Sequence, residues 1–208
     1  MAIRALGSGS IATNLNCGDI TPIPISRCLQ ITISNISGVI NSAAHLKVTN
    51  PSGSVSGTFV FFTGTTGMAY YETSFTGSIN TILVPALDRG FRVIQVQWDA
   101  SVFSGTVGPL VLANRTATLL NGIFNDSTLY TPGTIYGAIG NSGGSSQIAY
   151  ALAHYGAGAW LDIAVMSSGP THSRLDFGCM GTKKPYWASL GPTLLTTGSG
   201  VIGYNTIA

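Results

Sequence analysis

Residues 134–155 read TIYGAIGNSGGSSQIAYALAHY, and the order of patterns in this stretch decides the fold. An apolar run of strand length opens the stretch, and a run rich in alanine, leucine and glutamine, which favour a helix, closes it. Gly140, Ser142 and Gly144 lie between the two runs with the spacing G-x-S-x-G. A strand that enters a helix through this motif turns sharply at the serine and leaves its hydroxyl exposed above a helix N-terminus.

The rest of the chain alternates between strand-like and helix-like patterns. The first two predicted strands alternate apolar and polar residues, which indicates an antiparallel edge, and helices separate the later strands. Such alternation predicts an α/β fold with a mostly parallel sheet and helices on both faces. The predicted strands cover residues 29–34, 44–49, 58–62, 91–98, 134–139 and 161–166, and the predicted helices lie within residues 69–87, 109–124 and 145–155.

The composition limits the class of protein. The chain has 208 residues, which suits one domain with a sizeable core, and 8% of them are charged, against about 25% in a typical soluble domain. Small polar residues replace the charged ones, so we predict a secreted or periplasmic protein whose signal peptide is not in this sequence. The net charge of +2 argues against nucleic-acid binding. We also find no apolar run of the roughly 18 residues that a transmembrane segment needs.

The N-terminal part differs in pattern from the rest. Residues 1–28 are predicted to form a lead-in segment, disordered or loosely packed over residues 1–16, and residues 29–208 to form the α/β domain. Cys17 and Cys28 flank a short proline-containing loop, and a disulfide between them would stabilise the fold by at most about 3 kcal/mol. Two buried thiols are the alternative, and the composition favours the disulfide. Cys179 is then left without a partner.

This order of elements resembles the first six strands of an α/β-hydrolase, with the G-x-S-x-G turn after the fifth strand. Residues 140–156 and 161–170 are similar to the corresponding regions of bacterial secreted hydrolases of that superfamily. The resemblance covers about residues 29–180. It implies a three-layer fold with a sheet of about six strands. Strands seven and eight of the family have no counterpart in the sequence, so we expect a fold truncated at the C-terminus.

The resemblance also implies roles for individual residues. Ser142 matches the nucleophile of the nucleophile elbow, and Gly143 would offer one backbone N–H to the oxyanion. The second donor of the oxyanion hole comes from the loop after the third strand in this family, which here makes Thr65 or Thr66 the candidate. Two such donors stabilise a tetrahedral intermediate, and the loss of one raises the barrier by about 3–4 kcal/mol.

The base that should activate Ser142 has no obvious match, because the family's histidine follows its eighth strand and this chain has no histidine after His172. His172 follows the sixth predicted strand, at the edge where sites form in such sheets, and is the candidate base. Asp176 is the candidate acid that orients it. His154 lies about 18 Å from Ser142 along the helix, too far to act. His45 is predicted to be a surface residue.

Two other acidic residues are weaker candidates. Asp99 ends the fourth predicted strand at the same edge of the sheet. Glu72 is better explained as a glutamate at the start of a helix, stabilised by the helix dipole.

We therefore expect a serine hydrolase of the esterase or lipase kind that acts on small or polymeric carboxylic esters and needs no cofactor or metal. Two alternatives remain open. One is a catalytically incomplete hydrolase fragment with a binding or structural role, in which the exposed edge of the sixth strand lets copies of the chain associate. The other is an all-β secreted structural module.

Overall fold

A seven-stranded mixed sheet forms the centre of the molecule. The computed structural model describes residues 3–13, 17, 23–64, 66–102, 104–105 and 107–168. The strands, in the spatial order β1-β2-β3-β5-β4-β6-β7, pair antiparallel from β1 to β5 and parallel from β5 to β7. Their bounds are β1 Ser8–Thr13, β2 Arg27–Ser34, β3 Ser42–Thr49, β4 Gly57–Phe62, β5 Phe91–Trp98, β6 Ile135–Asn141 and β7 Ile163–Ser167.

Helices cover both faces of this sheet. The α-helices are α1 Tyr71–Ser74, α2 Val84–Asp88, α3 Pro109–Leu112, α4 Asn114–Asn125 and α5 Gly143–Tyr155. A π-helical segment, Ile79–Leu83, leads directly into α2, and a short 3₁₀ turn, Ala157–Ala159, follows α5. None of the helices in the described ranges is long and apolar enough to cross a membrane.

The two faces of the sheet carry separate apolar cores, because successive strand residues point to opposite sides. On one face, Val60 and Phe62 of β4 pack in a large cluster with residues of α4 and α5, such as Leu120 and Ile148. On the other face, Phe61 belongs to a smaller cluster that includes Tyr71, Leu83 and Val93. The crossover through α1 and α2 therefore covers one face, and those through α4 and α5 cover the other.

The predicted three-layer α/β fold is confirmed, with two differences in the sheet. It has seven strands instead of six, because residues 8–13 pair antiparallel with β2, and the prediction of a loosely packed segment is wrong for these residues. The predicted boundary at residue 28 falls within β2. Three of the six strand pairings are parallel, so the sheet is mixed and not mostly parallel. The all-β alternative is wrong, because α4 and α5 pack on the sheet.

Two predicted helices are interrupted. The region 69–87 forms α1 and then, after a turn, the π-helical segment that enters α2 near Pro85. The region 109–124 is divided at Ala113 into α3 and α4. In both cases the sequence pattern predicts helix in the right region but not the breaks in backbone hydrogen bonding.

A disulfide joins Cys17 to Cys28, with their Cα atoms 5.5 Å apart. Ile23 lies between them in the sequence, is 1% exposed, and packs in the smaller apolar cluster with Phe61 and Val93. The part of this segment that the structure describes therefore lies over the same face of the sheet as α1.

Candidate functional site

The turn between β6 and α5 places Ser142 in an unusual backbone conformation. Its φ is +50° and its ψ is −117°, in a region that residues with a side chain rarely adopt. Such strain persists only where the surrounding structure enforces it, and it is often found at functional sites. Ser142 is partly exposed at the edge of the sheet where the four parallel strands end.

The glycines on either side of Ser142 let two backbone segments approach closely. A methyl group on Gly140 would lie 2.5 Å from the carbonyl carbon of Gly144. A methyl group on Gly144 would lie 2.5 Å from the carbonyl oxygen of Phe62, at the end of β4. Because real side chains cannot approach backbone atoms this closely, the start of α5 rests on β6 and β4 only if both positions are glycine.

Hydrogen bonds to β7 hold the turn from the other side. The Ser142 N–H donates to the carbonyl oxygen of Ser167 over 2.9 Å. The hydroxyl of Ser145, which is fully buried, lies 2.7 Å from the same oxygen and 2.8 Å from the carbonyl oxygen of Gly140. The backbone at Ser142 is therefore fixed to both strands beneath it.

The loop that joins β4 to α1, residues 63–70, lies against Ser142. A methyl group on Gly64 would be 2.8 Å from Cβ and 3.3 Å from Oγ of Ser142. The carbonyl groups of residues 66–69 accept hydrogen bonds, three from residues outside the loop and one from Thr63 within it. The accepting residues are Thr66, Gly67, Met68 and Ala69, and their donors are Val102, Trp98, Gln97 and Thr63, respectively.

Part of the predicted oxyanion hole lies among the described residues. Gly143 is the first residue of α5, and the N–H groups of a first helical turn have no acceptor within the helix. The positive end of the helix dipole is also located there. Thr66 is partly exposed, and its hydroxyl accepts a hydrogen bond of 3.4 Å from Met68 N–H. Thr65 lies outside the described residues.

Trp98 connects the loop to α5. Gly67 adopts a φ of +73°, and a methyl group there would lie 2.7 Å from Cδ1 of Trp98. The indole N–H of Trp98 donates to the side-chain oxygen of Gln147 over 3.3 Å, and the Thr116 hydroxyl donates to the same oxygen over 2.9 Å. Gln147 is fully buried in α5, so this network joins the loop to the helix that follows Ser142.

A buried ion pair lies behind the loop on the other face of the sheet. Lys47 on β3 and Glu72 on α1 are 0% and 2% exposed, and the Lys47 ammonium contacts the Glu72 carboxylate. Glu72 also bonds to Gln95 on β5. The sequence-based interpretation of Glu72 as a helix-start residue stabilised by the dipole is therefore incomplete: it lies in the first turn of α1, but its carboxylate pairs with Lys47.

The described histidines lie away from Ser142. His45 Nε2 is 2.7 Å from the carboxylate of Asp99, and this partly exposed pair joins β3 to the end of β5. The two side chains therefore bond to each other. Ser142 follows β6, and β4 lies between β5 and β6 in the sheet. His154 lies in the last turn of α5, the helix that begins after Ser142, and stacks on Tyr150. His172 and Asp176 lie outside the described residues.

Sequence reasoning missed three features of this site: the approach of Gly64 to Ser142, the Trp98–Gln147 network and the buried Lys47–Glu72 pair. The sequence does carry a signal for the first of them, the two glycines Gly64 and Gly67 directly after the third predicted strand. Within the part of the chain that the structure describes, no group of three or more potential metal ligands is found.

We expect Gly144→Ala to destabilise the fold. The new methyl group would meet backbone atoms of Phe62 and Thr63 at 2.5–2.9 Å, which can only be relieved if α5 moves. Overpacking of this kind costs about 1–3 kcal/mol, which exceeds the gain of about 1 kcal/mol in helix propensity. Gly122→Ala in α4 is the matched control, because its methyl group meets only the flexible end of Ile31, at 3.1 Å. Equal unfolding free energies of the two variants in denaturant titrations would contradict the close-packing argument.

Tyr70 lies at the end of the loop and is 2% exposed. We expect ionisation of its hydroxyl to lower the free energy of unfolding at high pH. Burial, followed by the negative charges of Glu72 and Asp99, raises the pKa of Tyr70 from 10.0 to about 12. The folded chain therefore keeps this proton to a higher pH than the unfolded chain. Its contribution is fully present below about pH 10 and is lost as the pH rises toward about 12.

Denaturant unfolding of the wild type and of Tyr70→Phe, at about pH 8 and about pH 11, measures this effect. The unfolding free energy of the variant should fall less between the two pH values. An equal fall would show that the Tyr70 hydroxyl titrates alike in the folded and unfolded chains.

Comparison with known proteins finds matches at the level of structure. No protein-family model matches the sequence, and no curated protein matches it. Est1E from Butyrivibrio proteoclasticus superposes with a TM-score of 0.50 at 11% identity, over 67% of this chain and 52% of that one. A highly thermostable carboxyl esterase from Bacillus coagulans gives a TM-score of 0.46 at 17% identity, over 83% and 52%. The peroxisomal alpha-beta-hydrolase Lpx1 from Saccharomyces cerevisiae gives 0.48 at 9% identity, over 98% and 62%.

These likenesses bear on the fold. The chain spans about half the length of the first two of these structures, 52% of each. At such low identities a structural match says nothing about individual residues. The mixed sheet with parallel strands β4 to β7, the helices on both faces and the superposition on Est1E nevertheless agree with one another. The chain therefore has the α/β-hydrolase fold.

Proposed function

We propose that this chain is a serine hydrolase that cleaves carboxylic esters through an acyl-enzyme on Ser142. The observation that carries the proposal is the strained backbone of Ser142, which four independent contacts enforce: Gly140, Gly144, Ser167 and the loop at Gly64. A protein does not need a strained serine at this turn for stability, because a glycine would fit there at lower cost. The carboxyl esterase from Bacillus coagulans, which shares part of the architecture, supports the choice of substrate class.

The proposed reaction has two steps. In the first, the Ser142 oxygen attacks the ester carbonyl, a base takes the hydroxyl proton, and the carbonyl electron pair moves onto oxygen. The N–H groups of Gly143 and of Thr65 or Thr66 would stabilise that oxyanion. The intermediate then expels the alcohol, which takes the proton, and leaves the acyl group on Ser142. In the second step, water attacks the acyl group by the same route and releases the acid.

His172 is the proposed base, and Asp176 is proposed to orient it. A serine hydroxyl needs such a base because it is a poor nucleophile by itself. Both residues follow β7, whose last residue, Ser167, accepts the hydrogen bond from Ser142 N–H. The chain therefore leaves the sheet beside the proposed nucleophile, five residues before His172 in the sequence.

The proposed setting is a secreted or periplasmic one. The scarcity of charged residues, 8% of the chain, and the disulfide between Cys17 and Cys28 both favour an oxidising compartment. The same low charge favours a neutral substrate, either a small ester or a polymeric one. Among the described residues, β7 has one strand neighbour, β6, and its Ile163 and Val165 are 38% and 45% exposed. Association of two copies along this edge is part of the proposal.

A second candidate function is a binding or structural role without catalysis. It is favoured by one observation among the described residues: both histidines there, His45 and His154, are located away from Ser142. The two candidates differ in whether Ser142 reacts as a nucleophile, so one experiment separates them.

We expect a fluorophosphonate probe to label the folded wild-type protein on Ser142, as identified by mass spectrometry. Ser142→Ala should abolish both labelling and ester hydrolysis. Ser168→Ala is the matched control, because Ser168 is an exposed serine that also has a positive φ, +52°, at the same edge of the sheet. It should retain labelling. Absence of label on the folded wild type would favour the non-catalytic role.

His172→Ala should abolish ester hydrolysis, while Ser142 still reacts slowly with the probe. The reason is that hydrolysis needs a base in both steps, whereas a reactive phosphonate can capture an unassisted hydroxyl slowly. His154→Ala, at the far end of α5, is the control that should retain activity. Full activity of the His172 variant would remove this assignment and leave the role of Ser142 intact.

A further inference from the structure

We propose that the buried Lys47–Glu72 pair positions the loop of residues 63–70 against Ser142. The two side chains are positioning residues: they touch no substrate and act through the backbone of the loop. This inference rests on the proposed function, because it assigns the loop to the same site.

Three interactions hold Glu72 at one place on the sheet. One carboxylate oxygen contacts the Lys47 ammonium, and the other accepts a hydrogen bond of 3.2 Å from the Gln95 amide. The backbone N–H of Glu72 donates to the side-chain oxygen of the same glutamine over 2.8 Å. Lys47 and Gln95 are direct neighbours across β3 and β5. The first turn of α1 is therefore fixed to two strands by both its backbone and its side chain.

The loop begins and ends at fixed points. It leaves β4 after Phe62 and reaches α1 at Tyr71, next to Glu72. Within it, Thr63 donates from its hydroxyl to the carbonyl oxygen of Ala69 over 2.9 Å, which ties the two ends together. A shift of α1 along the sheet would therefore move the loop, and with it the Gly64 backbone that lies against Ser142. A displacement of about 1 Å at a reacting centre can cost about 100-fold in rate.

Stability alone does not explain a charged pair at this position. Burying two charges costs desolvation energy, and apolar residues of similar volume are often neutral or stabilising in place of a buried ion pair. Apolar neighbours are already present on this face, in the cluster of Phe61, Tyr71 and Val93. Hydrogen bonds have narrow limits of distance and angle, so they fix the position of α1 along the sheet. An apolar pair would allow α1 to slide.

The disulfide segment covers the same region. Cys28 on β2 is the direct neighbour of Lys47 on β3, and the bond to Cys17 holds this part of the chain together. Ile23 is packed against the same face. Lys47 and Glu72 are themselves buried, at 0% and 2% exposed, so their interaction acts in an interior of low dielectric constant.

The test is the double variant Lys47→Met/Glu72→Leu, which removes both charges and leaves no buried charge unpaired. Hydrogen exchange by mass spectrometry should show at least about tenfold faster exchange in peptides that cover residues 63–70, and unchanged exchange in β4 and β5. The melting temperature should equal or exceed that of the wild type. His45→Gln, on the same strand and face, is the matched control and should leave loop exchange unchanged.

Catalysis provides the second readout. In the double variant the rate of fluorophosphonate labelling at Ser142 should fall about 10- to 100-fold, and kcat should fall while KM changes less than about threefold. A folded double variant with wild-type loop exchange and a wild-type labelling rate would overturn the proposal and leave the pair a purely structural role.

Two further outcomes are covered. If the double variant does not fold, Lys47→Met/Glu72→Gln replaces it, because this change removes the ion pair and keeps the hydrogen bond from the backbone N–H of position 72 to Gln95. Unchanged loop exchange in that variant overturns the proposal. If the wild type shows no labelling that depends on Ser142, the proposed function fails by itself. Loop exchange then decides, independently of activity, whether the ion pair orders the loop.

Discussion

The structure depends on the contact between backbones where α5 begins. Gly140 and Gly144 bring the first turn of this helix within van der Waals distance of β6 and β4, closer than any residue with a side chain allows. Strand β6 ends at Asn141 and α5 begins at Gly143, so Ser142 is the single residue between them, and the chain turns there at a φ of +50°. The strained conformation of the proposed nucleophile is therefore a consequence of helix–strand packing, supported by the hydrogen bond to Ser167.

The loop of residues 63–70 depends on polar groups from both faces of the sheet. On one face, Trp98 contacts Gly67 and bonds to Gln147 of α5. On the other, Glu72 is bound by Lys47 and Gln95. These are fully buried polar side chains in a protein with few charged residues, and each has partners on a different element of the fold. Directional interactions thus hold this loop from both faces of the sheet.

The sequence predicts the architecture well where a single periodic pattern decides it. Strands β4 to β7 and helix α5 were predicted within a few residues, because buried strands and an alanine-rich helix differ clearly in pattern. Strand β1, SGSIAT, was missed, since Ile11 is its only large apolar residue and an edge strand is held by backbone hydrogen bonds that any residue can form. The breaks in the predicted helices were also missed, because they are changes in backbone hydrogen bonding that the side-chain pattern does not reveal.

The site is only partly predictable from the sequence. The turn at Gly140, Ser142 and Gly144 can be predicted, because the spacing of these residues in the sequence indicates its geometry. The Lys47–Glu72 pair joins residues 25 positions apart and forms only because β3 lies next to β5. No local pattern encodes that strand order. The roles of Ser142, Gly143, Thr65, Thr66, His172 and Asp176 in catalysis remain predictions from the resemblance.

The packing role of the two glycines has a consequence for how such chains change over generations. Selection for a folded protein is enough to keep Gly140 and Gly144, whatever reaction the molecule performs, because replacing either one forces the helix off the sheet. Folding does not require the serine between them, and glycine would adopt its backbone conformation with less strain. In a lineage without the proposed hydrolysis, the flanking glycines would persist while the central position varied, so the serine is the position of the motif that the proposed reaction alone would preserve.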